Sequence, residues 1–198
     1  MSPILHHRKT IRLPGYDYSQ AGEYFVTICT KDREHIFGSI RSGRMVLNRF
    51  GEIVDSCWKD LPNHYPRVEA DAFVIMPDHI HGIIVITEPD PVREGSEPSP
   101  TRRYPLSEIV RSFKTFSARR INESRGTPGR PVWQRNYFEH IIRDDRSLER
   151  IKEYIFSNPE KWAVSHQNTE QDDMNELSSW IKQDCLKSPG PSPNSPAQ

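Results

Sequence analysis

Residues 68–87 read VEADAFVIMPDHIHGIIVIT, the most apolar stretch of the chain, and it breaks at Pro77-Asp78. Proline cannot donate to a strand ladder and aspartate favours turns. The stretch therefore predicts two strands, 71–76 and 79–87, joined by a tight turn. Alternate side chains of a strand face the same way. His79 and His81 then present two imidazoles side by side, with Ile80 turned to the core. Neutral imidazoles are good ligands for a divalent metal. Asp78, between the turn and the pair, reads as a residue that shapes the turn rather than one that binds the ion.

Working outward, Gly22–Thr30 is β-branched and aromatic, the pattern of a strand. Residues 38–44 read as a turn and 45–47 as a short strand. Phe50, Ile53, Val54, Cys57 and Trp58 recur at helical spacing, so a helix is expected over 48–61 with Asn48 as its N-cap. A second helix is expected over 106–122, with Leu106, Ile109, Val110, Phe113 and Phe116 on one face. Residues 132–142 read as a final strand. Asp144 and Asp145 open a last helix that is expected to stop before Pro159. This mixture, without regular βαβ alternation, predicts an antiparallel α+β fold.

Residues 1–21 read as an N-terminal arm, 22–163 as one domain, and proline-rich 88–104 as a flexible loop. Polar 164–198, with its Pro/Ser-rich end, reads as a largely disordered tail. No apolar run approaches the length that spans a bilayer, and Met1–Thr10 has no apolar signal region. Cys29, Cys57 and Cys185 are too scattered for a disulfide framework or a zinc site. These features predict a cytoplasmic protein with reduced thiols.

The 198 residues carry no formal net charge, but the charge is unevenly spread. Between Arg102 and Lys152 there are 13 Lys/Arg and 6 Asp/Glu. A local basic surface is what phosphate contact needs. Arg111, Lys114, Arg119 and Arg120 on the 106–122 helix, with Arg135 beyond it, are the phosphate-contact candidates for a nucleic-acid partner; solvated helix charges would look the same. Trp133, Tyr137 and Phe138 are either base-stacking groups or alternating core positions. His140 either orients a phosphate or a metal ligand from behind, or is a hydrogen-bonded structural histidine. Glu139 reads as an exposed strand carboxylate.

Tyr154 and Asn158 are four residues apart and share a helical face if the last turn holds to Asn158. Tyrosine can act as a covalent nucleophile, and asparagine can offer a metal its carbonyl oxygen. The alternatives are a core aromatic and a helix cap before proline. Tyr137 is a competing nucleophile, on a predicted strand without an Asn or Gln at i+4.

Phe73–His81 resembles the His-hydrophobic-His motif of the single-tyrosine HUH transposases. Val132–His140 (VWQRNYFEH), followed by Tyr154–Pro159 (YIFSNP), resembles the branch called REP-associated tyrosine transposases. The likeness runs over about residues 8–163. It implies a ferredoxin-like (RRM-like) sheet with both histidines on a central strand and Tyr154 on a helix facing them. It implies His79, His81 and Asn158 as ligands of Mg2+ or Mn2+, and Tyr154 as the nucleophile. It also implies single-stranded DNA beside hairpins as substrate, cut through a 5′-phosphotyrosine link, by a monomer or a homodimer. Two other readings stand beside it: a catalytically retired hairpin-binding protein, and a metal-dependent hydrolase that does not act on DNA.

Overall fold

The computed structural model describes residues 13, 15–88 and 102–165. Most of the expected arm, loop and tail lies outside these residues. Within them the strands are β1 (Gly22–Cys29), β2 (Gly38–Arg41), β3 (Arg44–Leu47), β4 (Val68–Ile75), β5 (His79–Ile86) and β6 (Phe138–Ile142). The helices are α1 (Arg49–Lys59), α2 (Leu61–His64), α3 (Leu106–Arg125) and α4 (Asp145–Ser165). No helix among the described residues is long and apolar enough to cross a membrane.

Four strands form one sheet in the order β4-β5-β1-β6, each pair antiparallel. With the β2–β3 hairpin set aside, the chain runs β-α-β-β-α-β, and its first and third strands sit at the centre. This is the ferredoxin-like arrangement expected of the chain. β5 is a central strand, so its run of isoleucines is covered on both faces, which explains why Val68–Thr87 is so apolar.

The two faces are covered differently. Tyr24, Val26, Ile28, Ile80 and Ile84 pack under α1 and α3, with Val54, Trp58, Ile109, Val110 and Phe113. Phe25, Ala72 and Ile83 point the other way and pack under α4, against Ile151, Tyr154 and Ile155. The pleat assigns alternate residues of β1 and β5 to these two cores. His79 and His81 lie on the α4 face.

Local chemistry sets the ends of the elements. Asn48 caps α1 by accepting from the Phe50 and Gly51 amides at 2.9 and 3.1 Å. Asp144 caps α4 through the Ser147 amide and hydroxyl. Ser42 and Gly43, both with positive φ (48° and 71°), make the two-residue turn of the β2–β3 hairpin. Residues 38–41, expected within a turn, are therefore a strand.

Three other expectations need correction. The final strand is confined to Phe138–Ile142; upstream, only Trp133 bridges to Thr30. The carbonyls of Gln134 and Arg135 are instead taken by the Lys114 ammonium, so this segment is tied to α3. Helix α4 does not stop before Pro159 but runs through it to Ser165. A proline removes one amide donor, and packing of α4 on the sheet outweighs that loss. Phe116 is 42% exposed; the buried stripe of α3 continues through Ser117 and Ile121.

Candidate active site

On β5 the two histidines are held in register by β1: His81 lies opposite Thr27, and His79 opposite Cys29. Their Nε2 atoms face one another at 2.9 Å. Both Nδ1 atoms are engaged from behind. His79 Nδ1 meets Asp78 Oδ1 at 2.5 Å, and His81 Nδ1 meets Thr27 Oγ1 at 2.8 Å. Asp78 is itself buried, and its second oxygen accepts from Arg33 Nε at 2.8 Å. Its backbone carbonyl accepts from the Thr30 amide and hydroxyl, pinning the turn.

Helix α4 lies over this pair. The Tyr154 hydroxyl is 3.3 Å from His81 Nε2, and its ring meets the His81 ring edge-on, with centroids 5.1 Å apart. Two turns later the Trp162 ring covers His79 at 5.6 Å and reaches His35 at 5.8 Å. Asn158 sits on the same helical face, one turn from each, and is buried. The helix that continues through Pro159 thus brings Tyr154 and Trp162 over the histidines, with Asn158 between them along the same face. Phe25 closes the floor, stacked on His81 at 5.6 Å. Lys161 lies over the Tyr154 ring at 5.8 Å.

The electrostatics keep both imidazoles neutral. Burial pushes His79 down, and the Asp78 carboxylate pulls it back only part of the way. Burial, then the neighbouring His79 and Arg33, hold His81 well below the usual histidine range. Burial pushes Asp78 up, but its bond to His79 and the nearby Arg33 outweigh this, so it stays ionised below the ordinary carboxylate range.

A divalent ion suits this geometry. Two ligands about 2.1 Å from an octahedral ion, at right angles to each other, lie about 3.0 Å apart. The histidine Nε2 atoms are 2.9 Å apart. When both rings carry their proton on Nδ1, the two Nε2 lone pairs converge on one point, which a cation could occupy. Among the described residues, no third His, Cys, Asp or Glu joins them; Asn158 is a buried residue on the α4 face that carries Tyr154.

The other candidates are distributed elsewhere. His140 is buried on the α4 face of β6, opposite Phe25 and one row removed from the His81–Thr27 pair. Thr27 and Asp78 contact the histidines from behind. Thr27 was missed because its only link to His81 is strand register. Tyr137 packs with the α1/α3 core, not with the histidines. Glu139 is buried rather than exposed, opposite Val26.

Arg111, Lys114, Arg119 and Arg135 do come together. With Arg130 they line a groove of about 980 Å³ between α3 and residues 128–137, whose floor includes Val110, Ala118 and Val132. Lys114 is half-buried there and spends donors on two carbonyls. Arg120 is directed to the α1 side instead, its guanidinium 3.6 Å from Cys57 Sγ. Trp133 is a core residue, packed on Phe37 and Phe113 and donating its indole N–H to Ser117 Oγ at 2.9 Å.

Residues 99–158 match the family described as "Transposase IS200 like". An uncharacterised Haemophilus influenzae protein is 44% identical over 169 residues, 80% of this chain and 91% of that one. A second Haemophilus influenzae protein is 30% identical over 146 residues, 73% of this chain and 74% of that one. It bears the provisional name "REP-associated tyrosine transposase". A solved structure of a REP-associated tyrosine transposase bound to a REP hairpin has the same fold. It superposes with a TM-score of 0.51 at 20% identity, over 76% of this chain and 73% of that one.

Proposed function

Since the chain belongs to the REP-associated tyrosine transposases, a family of enzymes that act on DNA, we propose that it cuts and rejoins single-stranded DNA beside hairpins, with Tyr154 as nucleophile. The observation that carries this reading is the buried Tyr154 hydroxyl, 3.3 Å from His81 Nε2 and over the His79–His81 pair. His79, His81 and Asn158 would hold Mg2+ or Mn2+. Such an ion, when bound, polarises a phosphate and stabilises the charge that develops on it.

The residues of the chain account for the rest. The Tyr154 hydroxyl loses its proton as its oxygen attacks phosphorus, forming a 5′-phosphotyrosine bond while the P–O bond to the 3′ oxygen breaks. The free 3′-OH can attack the same phosphorus and reverse the step without ATP, because the tyrosine ester conserves the phosphodiester. A free tyrosine ionises near pH 10, so the hydroxyl needs help at neutral pH; with both His81 nitrogens committed, Nδ1 to Thr27 and Nε2 to the ion site, its proton would pass to water admitted with the DNA, and water would return one to the departing 3′ oxygen. Tyr154, His79, His81 and Asn158 are all buried, so a phosphate would reach them only with a shift of the structure around them. The basic groove beside α3 would hold the DNA backbone, as phosphate contacts require.

The test is wild type against Tyr154→Phe, each incubated with hairpin-bearing single-stranded DNA and Mn2+, and resolved by denaturing electrophoresis. Wild type should give a covalent protein–DNA band and Tyr154→Phe none. A band from Tyr154→Phe would remove Tyr154 from the role, and no band from wild type on any such substrate would favour a hairpin-binding protein without strand chemistry.

A further inference from the structure

We propose that Asp78 and Thr27 are positioning residues, Asp78 fixing the ring tautomer of His79 and Thr27 the orientation of the His81 ring, and that Arg33 decides which atom of residue 78 faces His79. The inference rests on the reading of the histidine pair as an ion site and deepens it. An imidazole nitrogen binds a metal only through a lone pair, so the ring proton must sit on the other nitrogen. The Asp78 carboxylate accepts and cannot donate. Its oxygen 2.5 Å from His79 Nδ1 therefore holds the proton there and leaves Nε2 bare. Asp78 gives its other oxygen to Arg33. The side chain thus serves His79 and Arg33, while the turn is pinned by the Asp78 backbone carbonyl.

Thr27 fixes the orientation of the His81 ring, its hydroxyl being able to donate or accept. It is buried, directly across the β1–β5 ladder, with its oxygen 2.8 Å from Nδ1. Arg33 enters at positive φ (59°), a conformation uncommon outside glycine that the fold tolerates where the guanidinium meets Asp78.

This arrangement makes an unusual prediction. In Asp78→Asn one oxygen becomes an NH2 group. Arg33 has only donors, so it claims the amide oxygen and leaves the NH2 facing His79 Nδ1. Nδ1 must then accept, the ring proton moves to Nε2, and Nε2 no longer offers a lone pair to the ion. Adding Arg33→Ala frees the amide to turn its oxygen back to His79.

The experiment uses the full chain. Mn2+ binding is followed by calorimetry and by the resonance of free Mn2+, and the imidazole tautomers of the metal-free chain by nitrogen-15 NMR. Asp78→Asn should weaken Mn2+ binding by about 10–100-fold, the usual effect of removing such a partner, and move the His79 proton to Nε2. Asp78→Asn with Arg33→Ala should recover most of the affinity. Thr27→Val should weaken binding by at least about 10-fold while Thr27→Ser stays within about 3-fold of wild type. A purely structural role for Asp78 would move the melting temperature but not the His79 tautomer, and one for Thr27 would move the melting temperature but not Mn2+ affinity.

If Asp78→Asn and Thr27→Val bind Mn2+ like wild type while His81→Ala does not, the inference fails and the ion site stands. If His81→Ala binds like wild type, the ion site itself fails and the inference goes with it. Should Asp78→Asn not fold, the Thr27→Val and Thr27→Ser pair decides.

Discussion

Gly82→Ala is the sharpest probe of how the histidine strand is seated. Gly82 follows His81 on β5 and faces the α1/α3 core. A Cβ there would lie 2.4 Å from Trp58 Cζ2 and 2.7 Å from Cη2, against ordinary contacts of 3.4 Å or more. The indole cannot step aside. It is 1% exposed, stacked on Phe73 at 4.6 Å and met edge-on by Phe113 at 5.4 Å. Overpacking of this kind costs about 1–3 kcal/mol, and a boxed-in ring puts Gly82→Ala in the upper half, about 2–3 kcal/mol. For a chain of this size each kcal/mol moves the melting temperature by about 2–4 °C, so a fall of about 4–12 °C is expected. Thermal unfolding followed by circular dichroism measures it. Trp58→Phe removes the two clashing carbons, so the double variant should be more stable than the summed single effects by about 1 kcal/mol or more. A melting temperature within a degree of wild type, or strictly additive effects, would refute the reasoning.

Arg111→Glu and Arg119→Glu, both in the basic groove, should weaken binding of hairpin-bearing single-stranded DNA. Each should also flatten the salt dependence of binding by about one unit of slope for every phosphate it no longer neutralises. Arg120→Glu, on the Cys57 side, should change that slope little; fluorescence anisotropy across a salt series separates the cases. Asn48→Ala deprives two α1 amides of their acceptor and should cost about 1–2 kcal/mol in urea unfolding with the slope m unchanged.

Strands β1, β3, β4 and β5, the first helix with its Asn48 cap, and the pairing of His79 with His81 were legible in the sequence because each depends on short-range rules. Alternation, helical periodicity and turn chemistry act within a few residues. Two of the errors fall where a distant segment overrides the local signal. Residues 132–137 have strand-like composition, yet Lys114 of α3 takes the Gln134 and Arg135 carbonyls. Pro159 signals a helix end, yet α4 continues because its buried face lies on the sheet.

The candidate site divides the same way. The sequence alone brought out His79, His81, Tyr154 and Asn158, and assigned the latter pair to one helical face. Only the tertiary structure brought the Tyr154 hydroxyl to His81, sent Trp162 over His79, and separated Tyr137 and Arg120 from the residues they resembled in sequence. Thr27 lies 54 positions from His81 and reaches it only through the β1–β5 register. No local pattern encodes that register, because it is set by how both faces of the sheet bury their side chains.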